Sequence, residues 1–211
     1  IFRGNQMKNK VNTKVVIIIV IIAVVVALAI FLSHQKKSNS YIYRGPSGTY
    51  EVYNTNEGGV DVSYIKIYVN TANSTIKVNV PLRFDPKSVE NIPLDNVKDK
   101  VFKQLIYLTQ SPSLPDLTDR GSIIASLEVS KITGMGIYRI STQTAITEPS
   151  ATSKLPVVTC NDVNETVAVI NFRFGEPSIK LENDCIIIQG NDKNSIIKAA
   201  DKFIMHLFGV F

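Results

Sequence analysis

Histidine and cysteine are scarce in this chain, two of each in 211 residues, and no acidic residue precedes Glu51. The histidine shortage removes most metal and nucleophile chemistry. His34 and His206 stand far apart, neither beside a cysteine, and no G-x-S-x-G marks a serine nucleophile. Cys160 and Cys185 alone match no zinc spacing, and no calcium-loop pattern organises Asp116, Asp119, Asp162 or Asp184, which read as solvated loop acids. Gly45-Pro46-Ser47-Gly48 and Gly134-Met135-Gly136 lack the strand–turn–helix setting of a phosphate loop and read as turns. The expectation is a chain with no catalytic residues, no metal, no cofactor and no small-molecule ligand.

The missing early acids explain the charge. Seven basic residues up to Arg44 face none, which leaves sixteen Lys and Arg against eighteen Asp and Glu beyond that point. The net charge of +5 is therefore a property of the first segment, and no basic cluster on the remainder suggests nucleic acid as a partner.

That first segment is built around residues 15–32, VVIIIVIIAVVVALAIFL, with no charge, polar side chain, Gly or Pro. At about 1.5 Å per residue a helix over this run spans roughly 27 Å, close to the ~30 Å hydrocarbon thickness of a bilayer. A buried core helix would be amphipathic or shorter. A cleaved leader needs a polar stretch after its small-x-small site, yet Ala27-Leu28-Ala29 is followed by Ile30-Phe31-Leu32. A pilin-type stem would carry a small residue near Thr13-Lys14-Val15 and an acid early in the run, and neither is there. The reading is a single retained transmembrane helix with the lipid bilayer as its partner.

The chain then divides into a basic tail (1–14), the anchor (15–32), a Ser/Gly/Pro-containing stalk (33–48) and an ectodomain (49–211), with possible sub-lobes at 49–94 and 95–211. Met7 opens MKNKVNTK like a translation start, so the six residues before it read either as an extension or as no part of the translated chain. Basic residues flank the anchor on both sides and favour a cytoplasmic N-terminus only narrowly. The cysteines and two N-x-S/T sequons, at Asn73 and Asn164, all fall after the anchor and place the C-terminal part outside the cell. A Cys160–Cys185 disulfide is expected there, and Asn73 and Asn164 are candidate glycosylation sites.

The ectodomain reads as mixed α/β (α+β), β-rich near the membrane. Alternation predicts strands over 49–53, 60–70 and 75–84, with Gly58-Gly59 and residues 70–74 as turns. A short helix over 95–104 capped by Asp95, a strand over 105–109 and a helix from about Thr118 to Thr133 follow. Strands are expected at 137–140, 156–160, 166–174, 179–182 and 185–189, with 141–154 as a surface loop. The end is the clearest stretch. Ile196, Ile197, Ala200, Phe203, Ile204, Leu207 and Phe208 form a helical stripe, Lys193, Lys198 and Lys202 lie off it, and Gly209 suits the left-handed end of the helix. Asp201 is expected to hydrogen-bond a neighbouring loop.

The segments CIIIQGNDKNSIIKAADKFIMHLFGV, LRFDPKSVENIPL, ASLEVSKITG and PVVTCNDVNETVAVI resemble those of uncharacterised archaeal cell-envelope proteins, single-pass and loosely like surface-layer proteins. The resemblance implies an exported envelope protein and carries over no catalytic motif. Together these readings point to a membrane-anchored envelope protein with a structural, surface-contact or assembly role, its partners being other envelope proteins or its own copies. The alternatives are a filament or complex subunit packed through the apolar helix, and a tethered enzyme.

Overall fold

A computed structural model describes residues 39–70, 74–135 and 138–211, together with Ile22 and residues 24–26. The chain divides into two units, Ile1–Ser38 and Asn39–Phe211. In the first, Ile22 and residues 24–26 are helical, with exposed side chains. The remainder of the proposed anchor, the basic tail and residues 33–38 lie outside the described residues. Among the described residues no helix is long and apolar enough to cross a membrane.

The second unit is a mixed α+β fold with two sheets. The first sheet is an antiparallel meander of β1 (Asn39–Gly45), β2 (Gly48–Glu57), β3 (Val60–Asn70) and β4 (Thr75–Leu82), neighbours in chain order. Pro46-Ser47 closes the first hairpin between Gly45 and Gly48. Gly58-Gly59 closes the second with φ of 60 and 86, a left-handed pair that glycine adopts without a Cβ clash. Alternation buries Val52, Ile65, Ile67, Val80 and Leu82 on one face. β1 lies inside the stretch read as stalk. Its Ser/Gly/Pro composition suggests a linker, but the Pro46-Ser47 turn folds it back onto β2 and buries Tyr43.

Four short helices and the second sheet follow: α1 (Pro86–Val89), α2 (Lys98–Val101), β5 (Leu105–Gln110), α3 (Leu114–Leu117), α4 (Gly121–Ser130), β6 (Ser141–Ile146), β7 (Val167–Phe174), β8 (Ser178–Glu182) and β9 (Cys185–Gly190). The strand order is β6-β5-β7-β9-β8, parallel except for the antiparallel edge β8. Ile106, Leu108, Ile170, Phe172, Ile186 and Ile188 point to the helices. Val169, Ile187 and Cys185 point to the other face, which Val158, Cys160 and Val163 of the long β6–β7 connection cover. Burial on both faces is why β7 and β9 are almost continuously apolar.

The chain ends in α5 (Lys193–Leu207), capped by Asp192, whose side chain accepts from Ser195 N while Ser195 reaches back to Asp192 N. At its other end Gly209 (φ 75) donates to His206 O and Val210 to Met205 O, the paired bonds of a Schellman turn. Ten of its fifteen residues are buried, too many for one stripe. The extra burial comes from α4 and α1, which pack on the helix along with β9, within a core to which both sheets contribute. Lys202, which lies off the stripe, is nevertheless buried: it is 5% exposed, donates to Glu90 O at 2.7 Å and sits 4.4 Å over the Phe211 ring.

Three other expectations change. The helix over 95–104 is the single turn of α2, and Asp95 instead accepts from Leu181 N at 2.9 Å, tying the segment to β8. The strand expected near 137–140 runs over 141–146, in what read as loop, because STQTAI needs only one apolar end to serve as an edge strand. Residues 156–160 make one bridge, Ile146 to Val157, rather than a strand.

Candidate functional site

Where β4 ends it meets α4 and α5, and three charged side chains converge. Asp201 of α5 is fully buried, and its Oδ2 accepts from the backbone N–H groups of Arg83 (3.0 Å) and Phe84 (2.7 Å). Those donors lie just past β4, so the carboxyl takes over where the sheet stops pairing them. Glu128 of α4, its side chain 11% exposed, accepts from Arg83 Nε at 2.6 Å through Oε1. The two remaining oxygens, Asp201 Oδ1 and Glu128 Oε2, are buried with no other partner. Burial, and then the Glu128 charge, push the Asp201 carboxyl well above the usual carboxylate range. The shift favours the protonated form of Asp201, which can donate to Glu128, while Arg83 pairs with the other Glu128 oxygen. The expected bond from Asp201 to a neighbouring loop is present; Glu128 and Arg83 went unremarked in the sequence because an exposed-looking helix acid carries no signal.

A cleft of about 270 Å³ opens beside this cluster, lined by Tyr64, Pro81, Arg83, Glu128 and Lys131 among others. A molecule in it meets the edge of Glu128 but not Asp201. The pair thus acts as an internal staple joining β4, α4 and α5.

A second concavity lies at the carboxyl ends of β5, β6 and β7. β5 leads out to β6 on one side, while β7, on its other side, continues towards β8 and β9. Loops that leave adjacent parallel strands in opposite directions open a crevice there. It holds about 300 Å³, walled by Ser111, Ser113 and Thr147 on the polar side and by Leu114, Phe172 and Phe174 on the apolar side. Asn171 of β7 also lines it, 5% exposed, with Nδ2 turned to Cys160 Sγ at 3.8 Å and Oδ1 buried without a partner. Ser111 Oγ donates to Glu148 Oε1 at 2.9 Å and pairs with Ser113 Oγ at 3.0 Å. The cue available in the sequence was a buried strand running into the Pro112 and Pro115 loop.

The cysteines are joined. Cys160, in a 3-10 turn (Cys160–Asp162), is bonded to Cys185 at the start of β9, with Cα atoms 5.2 Å apart. Asn164 is exposed before β7, and its Oδ1 accepts from Thr166 N, Thr166 Oγ1 and Val167 N. Asn73 and His34 lie outside the described residues. His206 Nδ1 bonds Phe211 O at 3.0 Å. Among the loop acids Asp184 pairs with Lys100 at 2.7 Å, which lowers its pKa, Asp119 pairs with Lys193 at 3.4 Å, and Asp162 caps its own turn through Thr159 N. Among the described residues no three His, Cys, Asp or Glu side chains group as metal ligands.

No protein-family model matches this chain, and neither a curated protein nor a solved structure does.

Proposed function

We propose that this chain is a membrane-anchored envelope protein, held by a transmembrane helix over residues 15–32 with its N-terminus in the cytoplasm. The α+β unit then lies outside the cell, where it makes structural or surface contacts with other envelope proteins or with its own copies. The observation that carries the reading is the Cys160–Cys185 disulfide in a folded unit that follows an uncharged apolar run. Disulfides persist in oxidising compartments and are rare in the cytoplasm. The exposed sequon at Asn164 agrees with that side of the membrane.

A filament subunit is the second reading, favoured by β1 at the open edge of the meander with Ile42 57% exposed. An edge strand is a template for adding another strand.

Protease added to intact cells, followed by thiol alkylation with and without reductant, tests the first reading. The expected result is loss of the folded unit to protease and alkylation of Cys160 and Cys185 only after reduction. A protected unit with freely labelled thiols would refute it. Imaging of the native protein separates the two assemblies: discrete particles support the anchored form, ordered polymers the filament.

A further inference from the structure

The meander buries one face and leaves the other open. Val52, Ile65 and Val80 stand in one row across β2, β3 and β4 and fill the core, so alternation turns the rows on either side outward. One outward row is Ser40–Tyr53–Tyr64–Pro81 and the other Ile42–Glu51–Lys66–Asn79, with the pair Tyr68–Lys77 beyond them. Tyr53 and Tyr64 stack with ring centroids 5.0 Å apart, and Lys66 lies 5.5 Å over the Tyr53 ring. Ile42 and Tyr68 are 57% and 68% exposed, and Arg44 and Lys77 are exposed on the same face. α4 borders its Tyr64–Pro81 end across the cleft of about 270 Å³.

Covalent reach and charge say what covers this face. β1 begins at Asn39, seven residues after the apolar run ends at Leu32, so even an extended link spans no more than roughly 25 Å. With that run in a bilayer, the first strand of the sheet is tethered close to the headgroup zone. The face has the sign that anionic headgroups attract. Arg44, Lys66 and Lys77 stand on it against Glu51 and Glu57, and the link adds Lys36 and Lys37 with no acid. Lys66 pairs with Glu51, and Glu57 accepts from Tyr64 Oη at 2.9 Å beside the cleft. Arg44 and Lys77 are left out of the ion pairs among the described residues. Tyrosine suits the same zone, because its ring packs on acyl carbons while its hydroxyl stays with water and phosphate. A second copy laid face to face would bring two such basic sets together.

We infer that the open face of the meander docks on a bilayer surface carrying anionic lipid headgroups, with Arg44 and Lys77 on lipid phosphates and Ile42 and Tyr68 in the interface. The folded unit then rests against the membrane and does not stand off it on a stalk. This docking rests on the transmembrane reading of residues 15–32, which brings the unit to the lipid.

The test places the full chain, a single copy per disc, in lipid nanodiscs of phosphatidylcholine alone or mixed with phosphatidylglycerol, and footprints it by hydroxyl-radical oxidation and lysine acetylation. With phosphatidylglycerol present, oxidation of Ile42 and Tyr68 and acetylation of Lys77 should fall roughly three-fold. Phe174 and Lys180, exposed on strands of the second sheet, should react equally in both lipids. Salt at about 1 M, where the screening length is about 3 Å, should restore the lost labelling. Arg44→Glu combined with Lys77→Glu should abolish the protection of Tyr68 with the melting temperature unchanged. Equal labelling of the face in the two lipids, protection indifferent to salt, or a protected Tyr68 in the doubly substituted chain would each overturn the docking. Protection that appears in detergent and grows with protein concentration would assign the face to a second copy, and overturns it as well. A chain that does not copurify with the discs refutes the anchor and the docking together, whereas a chain held in the disc with its face fully labelled refutes the docking alone.

Discussion

Asp201 shows how one buried proton can hold three elements together. Its Oδ2 accepts from the backbone just past β4 and its protonated form can donate to Glu128, so an amide at the same position can do both jobs, accepting through oxygen and donating through nitrogen. Asp201→Asn should leave stability within about 0.5 kcal/mol at acidic pH, whereas Asp201→Ala strands two backbone donors and should cost about 2–4 kcal/mol. The sign of the pH effect follows from the raised value. The folded state holds the proton more tightly than the unfolded chain, whose aspartates titrate near about 3.9. This contribution to stability is therefore fully present below about pH 4 and is lost as pH rises through the folded-state value. Denaturant unfolding from pH 4 to pH 8 should show a decline in the native chain that Asp201→Asn flattens; parallel curves would disprove the shared proton. The sequence pointed to Asp201 as a hydrogen-bonding residue but not to its partners, because β4 and α5 are joined only by folding. The burial of Lys202 was hidden for a related reason. Helical periodicity finds one buried face, and nothing local announces that Glu90 and Phe211 meet the helix on another side.

Among the elements, α5 and its junctions were the most legible, since the cap at Asp192, the stripe and the Gly209 stop are all local signals. Their costs on substitution differ. At Gly209 an added Cβ has open space around it, only Lys98 Nζ at 4.0 Å, so Gly209→Ala should cost about 1–2 kcal/mol from the left-handed backbone alone. At Gly190 the same atom would fall 2.3 Å from Ile196 N, against helix backbone that cannot retreat. Gly190→Ala should therefore cost more than Gly209→Ala, by about 1–3 kcal/mol for the forced shift between β9 and α5, as thermal unfolding of the pair would measure. The long β6–β7 connection was the least legible. β6 is polar along most of its length, and the covering of the second face depends on a covalent link. The Cys160–Cys185 bond closes a separation of 25 residues, for which chain entropy gives about 3 kcal/mol. Reduction should lower stability by about that amount, and Cys160→Ala with Cys185→Ala should reproduce the loss without reductant. A reduced chain as stable as the oxidised one would mean that Val158 and Val163 hold the connection unaided.

At the scale of the whole folded unit, the antiparallel meander and the mostly parallel sheet read in sequence as possible sub-lobes, 49–94 and 95–211. Alternation along β2, β3 and β4 and apolar runs in β7 and β9 made both sheets foreseeable as separate objects. Their common dependence on α5 was not foreseeable, because the contacts that tie the meander side to the end of the chain join residues more than a hundred positions apart. Tyr50 Oη donates to Gly209 O at 2.7 Å and Asp201 reaches Arg83 and Phe84, while the same helix packs with Ile106, Ile170 and Ile186 of the other sheet. Residues of α5 and of both sheets share one hydrophobic core, so the unit should unfold in a single transition despite its two-sheet architecture. Phe203, fully buried near the centre of α5, is the position to test. Phe203→Ala should cost about 3–5 kcal/mol and lower the protection of both sheets together. In native-state hydrogen exchange the amides of Ile65 in β3 and Ile187 in β9 should then lose the same opening free energy. If Ile187 loosens while Ile65 stays protected, the meander holds itself together and the helix is not the shared layer that the packing makes it.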